Sequence, residues 1–268
     1  MELYKLLRET DKPFLIAGPC VIEEEKIMQK IVETLIKETA KRDITFIFKA
    51  SFRKANRTSG KSPTGPGLKE GLKILKKIKK KYNVPIITDV HEISEIALVA
   101  EVADILQIPS FLSRQTDLIM AAARTGKIVN IKKGQFMAPE DIAPAVNKLI
   151  MSGNEKVLVT ERGTSFGYHN LVVDFRGFDI MNKIGFPVVY DVTHSLQQPS
   201  VGDVSGGTPQ YVGMMARAAI ATGKVDGLFI ETHPNPEKGL SDAKTMLNLA
   251  EIPKLLDDVM KIYKIVKE

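Results

Sequence analysis

Eight short apolar runs rich in β-branched residues recur along this chain, and stretches with helical spacing separate most of them. The runs fall at residues 14–17, 44–48, 85–88, 105–108, 128–131, 157–160, 187–190 and 227–230. None alternates apolar with polar, so each predicts a strand buried on both faces. Residues 24–40, 68–81, 93–102, 116–125, 138–151 and 209–222 place apolar side chains at helical intervals. Residues 171–184 do so more weakly, and 250–267 predict a closing helix. This alternation, with no break in composition, predicts an α/β chain: a single (β/α)8 TIM barrel over residues 1–268, with 1–13 as an N-terminal extension. A length of 268 residues is near the ~250 typical of that fold. The alternative is an open doubly wound sheet, but no strand is followed by a G-x-G-x-x-G turn.

The strand ends carry the chemistry. In order they present Cys20; Lys49, Ser51 and Lys54; Asp89, His91 and Glu92; Gln107; Lys132 and Lys133; Glu161 and Arg162; Asp191 and His194; Glu231 and His233. In a barrel these ends share one face, where active sites form. Loops are polar anyway, yet polar groups at all eight ends predict a charged, enzyme-like mouth.

Closing the barrel makes the first, seventh and eighth strands neighbours. Cys20, His194 and Glu231 then converge, and the loop HPNPEKGLSDA can return Asp242 to them. Thiolate, imidazole and carboxylates suit one divalent transition metal, with zinc, iron, manganese and cobalt all compatible. A lone cysteine is more often a small buried hydrophobe, and no HExxH or CxxC spacing helps, so the argument rests on barrel adjacency. Lys49, Lys54, Arg57, Lys132 and Arg162 form a second set. Cations crowded into one cavity repel unless anions sit among them, which points to phosphate or carboxylate guests. The lysine-rich run at 71–82 reads instead as the solvated face of a helix with Leu72, Leu75 and Ile78 inside. Residues 55–67 and 197–209, rich in Gly, Ser and Pro, predict functional loops.

Composition excludes other classes. There are 38 basic and 32 acidic residues, 6% aromatics and no tryptophan, so the stacking surface of a nucleic-acid binder is not expected. One cysteine excludes an internal disulfide and makes a cytoplasmic protein the expectation. No apolar run approaches the ~20 residues of a membrane span, and the charged N-terminus does not read as a signal peptide.

The strings IAGPC, FKASFRKANRTS, TDVHE, DILQIPSFLSRQTDL, NIKKGQF, TERGTSFGYHNLVVDFR, DVTHS and ETHPNPEKGLSDA occur in this order. Together they resemble the 3-deoxy-D-manno-octulosonate 8-phosphate synthases over nearly the whole chain. The resemblance implies a homotetrameric (β/α)8 enzyme that condenses phosphoenolpyruvate with D-arabinose 5-phosphate and water, releasing phosphate, for the lipopolysaccharide inner core. It implies the metal-dependent branch, because Cys20 stands where the other branch has asparagine and His194, Glu231 and Asp242 are all present. By the same resemblance Lys54, Lys132 and Arg162 hold phosphoenolpyruvate, with Lys49, Ser51 and Gln107 assisting. Asn56, Arg57 and Thr58 hold the sugar phosphate, with Arg114 and Gln115 supplied by a neighbouring subunit. Asp242 and His91 are candidates for proton handling, with Lys54 and Asp89 beside the reacting atoms.

Three positions depart from the family pattern. Arg53 replaces an aspartate, Thr64 stands where an arginine is common, and Val204 occupies a usual lysine position. These bear on the aldose end and leave the metal set intact. The nearest rival is the related condensation with erythrose 4-phosphate, whose KPRTS string differs from Lys54-Ala55-Asn56-Arg57-Thr58-Ser59 here. A non-catalytic barrel sensing phosphorylated metabolites would need the cationic clamp but neither the metal quartet nor Asp89 and His91.

Overall fold

Eight parallel strands close on themselves in the computed structural model, which describes residues 2–56, 60, 62–199 and 206–268. They are β1 (Phe14–Gly18), β2 (Phe46–Lys49), β3 (Ile86–Asp89), β4 (Ile105–Ile108), β5 (Ile128–Lys132), β6 (Val157–Glu161), β7 (Val188–Asp191) and β8 (Gly227–His233). Pairing runs in sequence order, and β8 pairs with β1 from Phe14 opposite Gly227 to Gly18 opposite Glu231, so the barrel has no open edge. The doubly wound alternative is thereby excluded.

Helices cover the outside with the apolar spacing read from the sequence. The first outer helix, Glu25–Ala40, buries Met28, Ile31, Val32 and Leu35 on one stripe. The next, Leu68–Tyr82, buries Leu72, Leu75 and Ile78 and turns its lysines to solvent. Several boundaries differ from expectation. The 171–184 segment holds a two-residue strand, Leu171–Val172, pairing with Thr164–Ser165, before its helix, Arg176–Asn182. The closing helix is Ile252–Lys267. Strands β2, β3 and β7 run one residue further than their apolar runs, to Lys49, Asp89 and Asp191. Backbone pairing does not stop where the side chains turn polar, so the hydrophobic run under-reads the strand.

The charged N-terminus is an element in its own right. Residues Glu2–Glu9 form a helix whose Leu7 joins Phe14, Ile16, Ile47, Ile87, Ile105, Ile128, Leu158, Val189 and Phe229 in the closed apolar plug inside the barrel. Each such side chain contributes about 1.5–3 kcal/mol through burial. Two residues further along each strand, on the same inward face, the layer turns polar: Lys49, Asp89, Gln107, Asn130, Thr160, Asp191 and Glu231, all buried. At the corresponding β1 position stands Gly18, where a Cβ would lie 2.0 Å from the Lys49 carbonyl oxygen. Only glycine fits that approach.

Candidate active site

The polar layer survives burial because each of its members is hydrogen-bonded, with one oxygen, Glu231 Oε2, left over. Thr160 donates to Asn130 at 2.6 Å, Asn130 to Gln107 at 3.0 Å, and Gln107 to Asp89 at 2.6 Å. Ser51 donates to the second Asp89 oxygen. Burial alone would raise the Asp89 pKa, but Lys49, Lys54, His91 and Lys132 outweigh it and hold the carboxylate well below its usual range. Above this layer opens a cavity of about 360 Å³ lined by Lys49, Lys54, Asp89, His91, Lys132, Arg162, His194 and Asp242, among others. That volume is ordinary for a small-ligand site.

The expected metal donors gather beside this cavity, which His194 and Asp242 help to line. Cys20, Glu231 and Asp242 offer ligand atoms within 4.8 Å of one another. Cys20 Sγ is 2.9 Å from Asp242 Oδ2 and 2.9 Å from Ser241 Oγ. His194 Nε2 stands 3.5 Å from Glu231 Oε2 and 4.0 Å from Asp242 Oδ2. Barrel adjacency therefore brings all four together. The short helix Val192–Ser195 begins on Asp191, whose Oδ1 accepts the His194 amide at 2.9 Å and whose Oδ2 meets His194 Nδ1 at 2.8 Å. The imidazole is thus oriented by a carboxylate, leaving Nε2 toward the cluster. Glu231 Oε2 is buried with no hydrogen-bond partner. Burial, then the neighbouring Asp242 and Glu231 charges, push the Cys20 thiol well above its usual pKa. An orphaned buried oxygen, a thiol, a second carboxylate and an imidazole fit a divalent transition metal.

The cationic wall differs from expectation in one respect: protein carboxylates already pair most of its charges. Lys49 donates to Glu231 at 2.6 Å, Lys132 to Asp191 at 2.5 Å, and Lys54 lies 3.7 Å from Glu231. Burial lowers the Lys132 pKa despite Asp191. For Lys54, Cys20, Glu231, Asp89 and Asp242 outweigh burial and raise its pKa. Arg162 is the exception. It is 4% exposed and its Nη2 donates to Gln197 at 3.1 Å. Arg162 lines the cavity, and its buried Nη1 is left without a hydrogen-bond partner.

Adjacent residues of one string separate sharply. Lys132 points inward; Lys133 is fully buried behind it, donating to Gly134 and Met137 carbonyls and to Thr164. Glu161 likewise turns away and accepts the Arg162 and Gly163 amides at 2.8 and 2.6 Å. Asn56 lines the cavity, while Arg57, Thr58 and Val204 lie outside the described residues. Arg114 and Gln115 are exposed and do not line the cavity. Arg53 reaches Glu92 and Glu95 at 2.9 and 2.8 Å and does not line the cavity. Sequence reasoning placed Asp191 at a strand end on the active face but gave it no role, and it missed Gln197 and Ser241 as site residues. The Asp191 role was discoverable from its place as the last inward residue of its strand and the cap three residues before His194; Gln197 and Ser241 carried no local signal.

A sequence profile of the DAHP synthetase I family matches residues 6–268. The chain belongs to that family. Several relatives at about half identity share a name. A 2-dehydro-3-deoxyphosphooctonate aldolase from Geotalea uraniireducens is 52% identical over 96% of this chain and 95% of its own length. Proteins of the same name from Syntrophotalea carbinolica and Geobacter sulfurreducens are 52% and 49% identical, over 94% and 96% of this chain and 91% and 95% of theirs. Among the described residues no helix is long and apolar enough to cross a membrane.

Proposed function

We propose that this chain condenses phosphoenolpyruvate with D-arabinose 5-phosphate and water to give 3-deoxy-D-manno-octulosonate 8-phosphate and inorganic phosphate, the activity of a phosphooctonate aldolase. The observation that carries the reading is a cavity lined by Arg162, whose buried Nη1 has no hydrogen-bond partner, and by His194 and Asp242, which belong to a thiol–carboxylate–imidazole cluster with Cys20 and Glu231. The names of relatives at about half identity support it, and nothing favours erythrose 4-phosphate.

Arg162 binds an anionic end of phosphoenolpyruvate through its planar fork, with Lys54 and Lys132 flanking it. Asp191 fixes the Lys132 ammonium, which rests 3.8 Å above the Phe229 ring. Lys49 neutralises Glu231 beside the cluster. Asn56, Arg57 and Thr58 take the sugar phosphate. Clamping both anions places the enol C3 against the aldehyde carbon, a gain in orientation. Carbon–carbon bond formation is followed by addition of water at C2, and the C2–O bond to phosphate then breaks.

Cys20, His194, Glu231 and Asp242 would hold the divalent ion, which supplies Lewis acidity to a carbonyl or lowers the pKa of a water. Asp242 is ionised at neutral pH: burial and Glu231 raise its pKa, but Lys54, His194 and the Cys20 hydrogen bond outweigh them. As an ionised carboxylate it can accept a proton from the water that adds at C2, whereas the aldehyde oxygen, which becomes a hydroxyl, needs a proton donor. His91 lines the same cavity with its ring edge-on to Phe52 at 5.8 Å. Lys49, Lys54, His91 and Lys132 keep Asp89 ionised and the Ser51 and Gln107 hydrogen bonds fix it in place, so it serves as an orienting charge beneath the reacting atoms. The enzyme is a homotetramer of the cytoplasm on this reading.

The test is phosphate release from phosphoenolpyruvate with arabinose 5-phosphate or erythrose 4-phosphate, before and after chelation and with zinc, iron, manganese or cobalt restored. Turnover with the five-carbon sugar that stops with chelator and returns with metal is expected. Turnover only with erythrose 4-phosphate would transfer the assignment to the rival condensation.

A further inference from the structure

Glu23 lies three residues beyond Cys20, and His233 two residues beyond Glu231. Their side chains are 4% and 2% exposed and meet with Glu23 Oε2 3.2 Å from His233 Nε2. Neither residue lines the cavity, so neither touches substrate. The other Glu23 oxygen, Oε1, accepts the Leu240 amide at 3.1 Å. One buried carboxylate thus joins three segments: the turn after β1 that carries Cys20, the end of β8 that carries Glu231, and the loop that carries Asp242.

That loop is closed at its base. It leaves β8 at His233 and returns as Leu247–Asn248, which pairs with Thr232 and His233, while Thr232 Oγ1 donates to the Leu247 carbonyl at 2.9 Å. At its tip Asp242 has φ 48°, the left-handed region that surroundings must enforce on a residue with a side chain. After Asp242 the backbone is fixed, its carbonyl accepting the Thr245 and Met246 amides at 2.9 and 3.2 Å. Before it, Leu240 is tied outward to Glu23.

We infer that the buried Glu23–His233 pair is a positioning device that sets how closely Asp242 approaches Cys20 and Glu231, and so tunes the affinity of the cluster for a divalent cation. A buried pair serving packing alone would need no bond to the Asp242 loop. The inference rests on the metal-site reading above. Glu23 acts through Asp242, so its effect on the cation must vanish when Asp242 has no carboxylate to place.

The experiment titrates Co2+ into chelator-stripped full-length chain and follows the thiolate-to-cobalt absorption of Cys20, with melting temperature measured in parallel. Glu23→Ala should weaken Co2+ binding roughly ten- to a hundredfold, the range for residues that orient metal ligands. In an Asp242→Ala background the same change should leave the remaining affinity within about twofold, because coupled residues are non-additive. Equal losses in both backgrounds, or a lower melting temperature with unchanged affinity, would overturn the inference. Should Glu23→Ala fail to fold, Glu23→Gln replaces it: it keeps one acceptor where two are needed, and a several-fold loss confined to the Asp242 background is expected. No cobalt–thiolate band in the parent chain would instead remove the metal reading itself, and this inference with it.

Discussion

At the scale of single residues, partnership decides role more than charge does. Lys132, Lys133 and Arg162 are all buried cations, yet of the three only Arg162 keeps a buried nitrogen with no hydrogen-bond partner. Arg162→Ala should lower kcat/KM for phosphoenolpyruvate by roughly 10²–10⁴-fold, the loss of two charged hydrogen bonds of about 1.5–3 kcal/mol each. Arg162→Lys should recover little, because an ammonium lacks the fork. Steady-state kinetics at saturating sugar phosphate checks both. Lys133 predicts the opposite signature. Lys133→Met strips partners from Thr164, two carbonyls and Glu161, the last 3.5 Å away. It should cost about 3–5 kcal/mol of stability in urea unfolding, while KM values of the folded protein stay unchanged.

At the scale of elements, the N-terminal helix is the base of the barrel. Leu7 is 1% exposed within the interior plug, so Leu7→Ala should destabilise by about 2–5 kcal/mol, read from the urea midpoint at unchanged m-value. A solvated tail would show no such loss. The loop after β2 is tied to the helix Ile93–Val102 by Arg53, which pairs with Glu92 and Glu95. Burial would raise the Glu95 pKa, but hydrogen bonds from His91 and the charges of His91 and Arg53 lower it. A depressed carboxylate pKa adds stability above its unfolded value, near 4.3, and loses it as pH falls through the folded one. Arg53→Ala should therefore cost about 1 kcal/mol at pH 7, the scale of a partly exposed ion pair. That difference from the parent should shrink below about pH 4, measured by urea unfolding across pH. The family departure at Arg53 thus has a structural role here, directed at this helix.

At the scale of the whole molecule, one cavity is lined from the ends of β2 to β7 and from the loop after β8, while Arg114 and Gln115 stand exposed outside its lining. On the proposed tetrameric reading they complete a neighbour's sugar-phosphate site. Arg114→Ala should then raise KM for arabinose 5-phosphate roughly tenfold, about one surface-accessible charged contact, with KM for phosphoenolpyruvate and the mass from light scattering unchanged. An unaltered sugar-phosphate KM would place the residue outside the site.

Much of this was legible in the chain. Apolar runs buried on both faces, alternating with helical spacing, left a closed parallel barrel as the economical fold, and barrel closure alone juxtaposed Cys20, His194 and Glu231. The specific strings named the chemistry. Tertiary structure decided what periodicity cannot carry. It told Lys132 from Lys133, because strand phase at the end of β5 is set by pairing with its neighbours. It turned the charged N-terminus into part of the plug, because Leu7, with Leu3 and Tyr4 packed beside it, buries apolar surface against the strand side chains. It assigned the cations to internal carboxylates and left Arg162 open, because partners such as Asp191 and Glu231 sit on strands distant in sequence and meet only when the barrel closes.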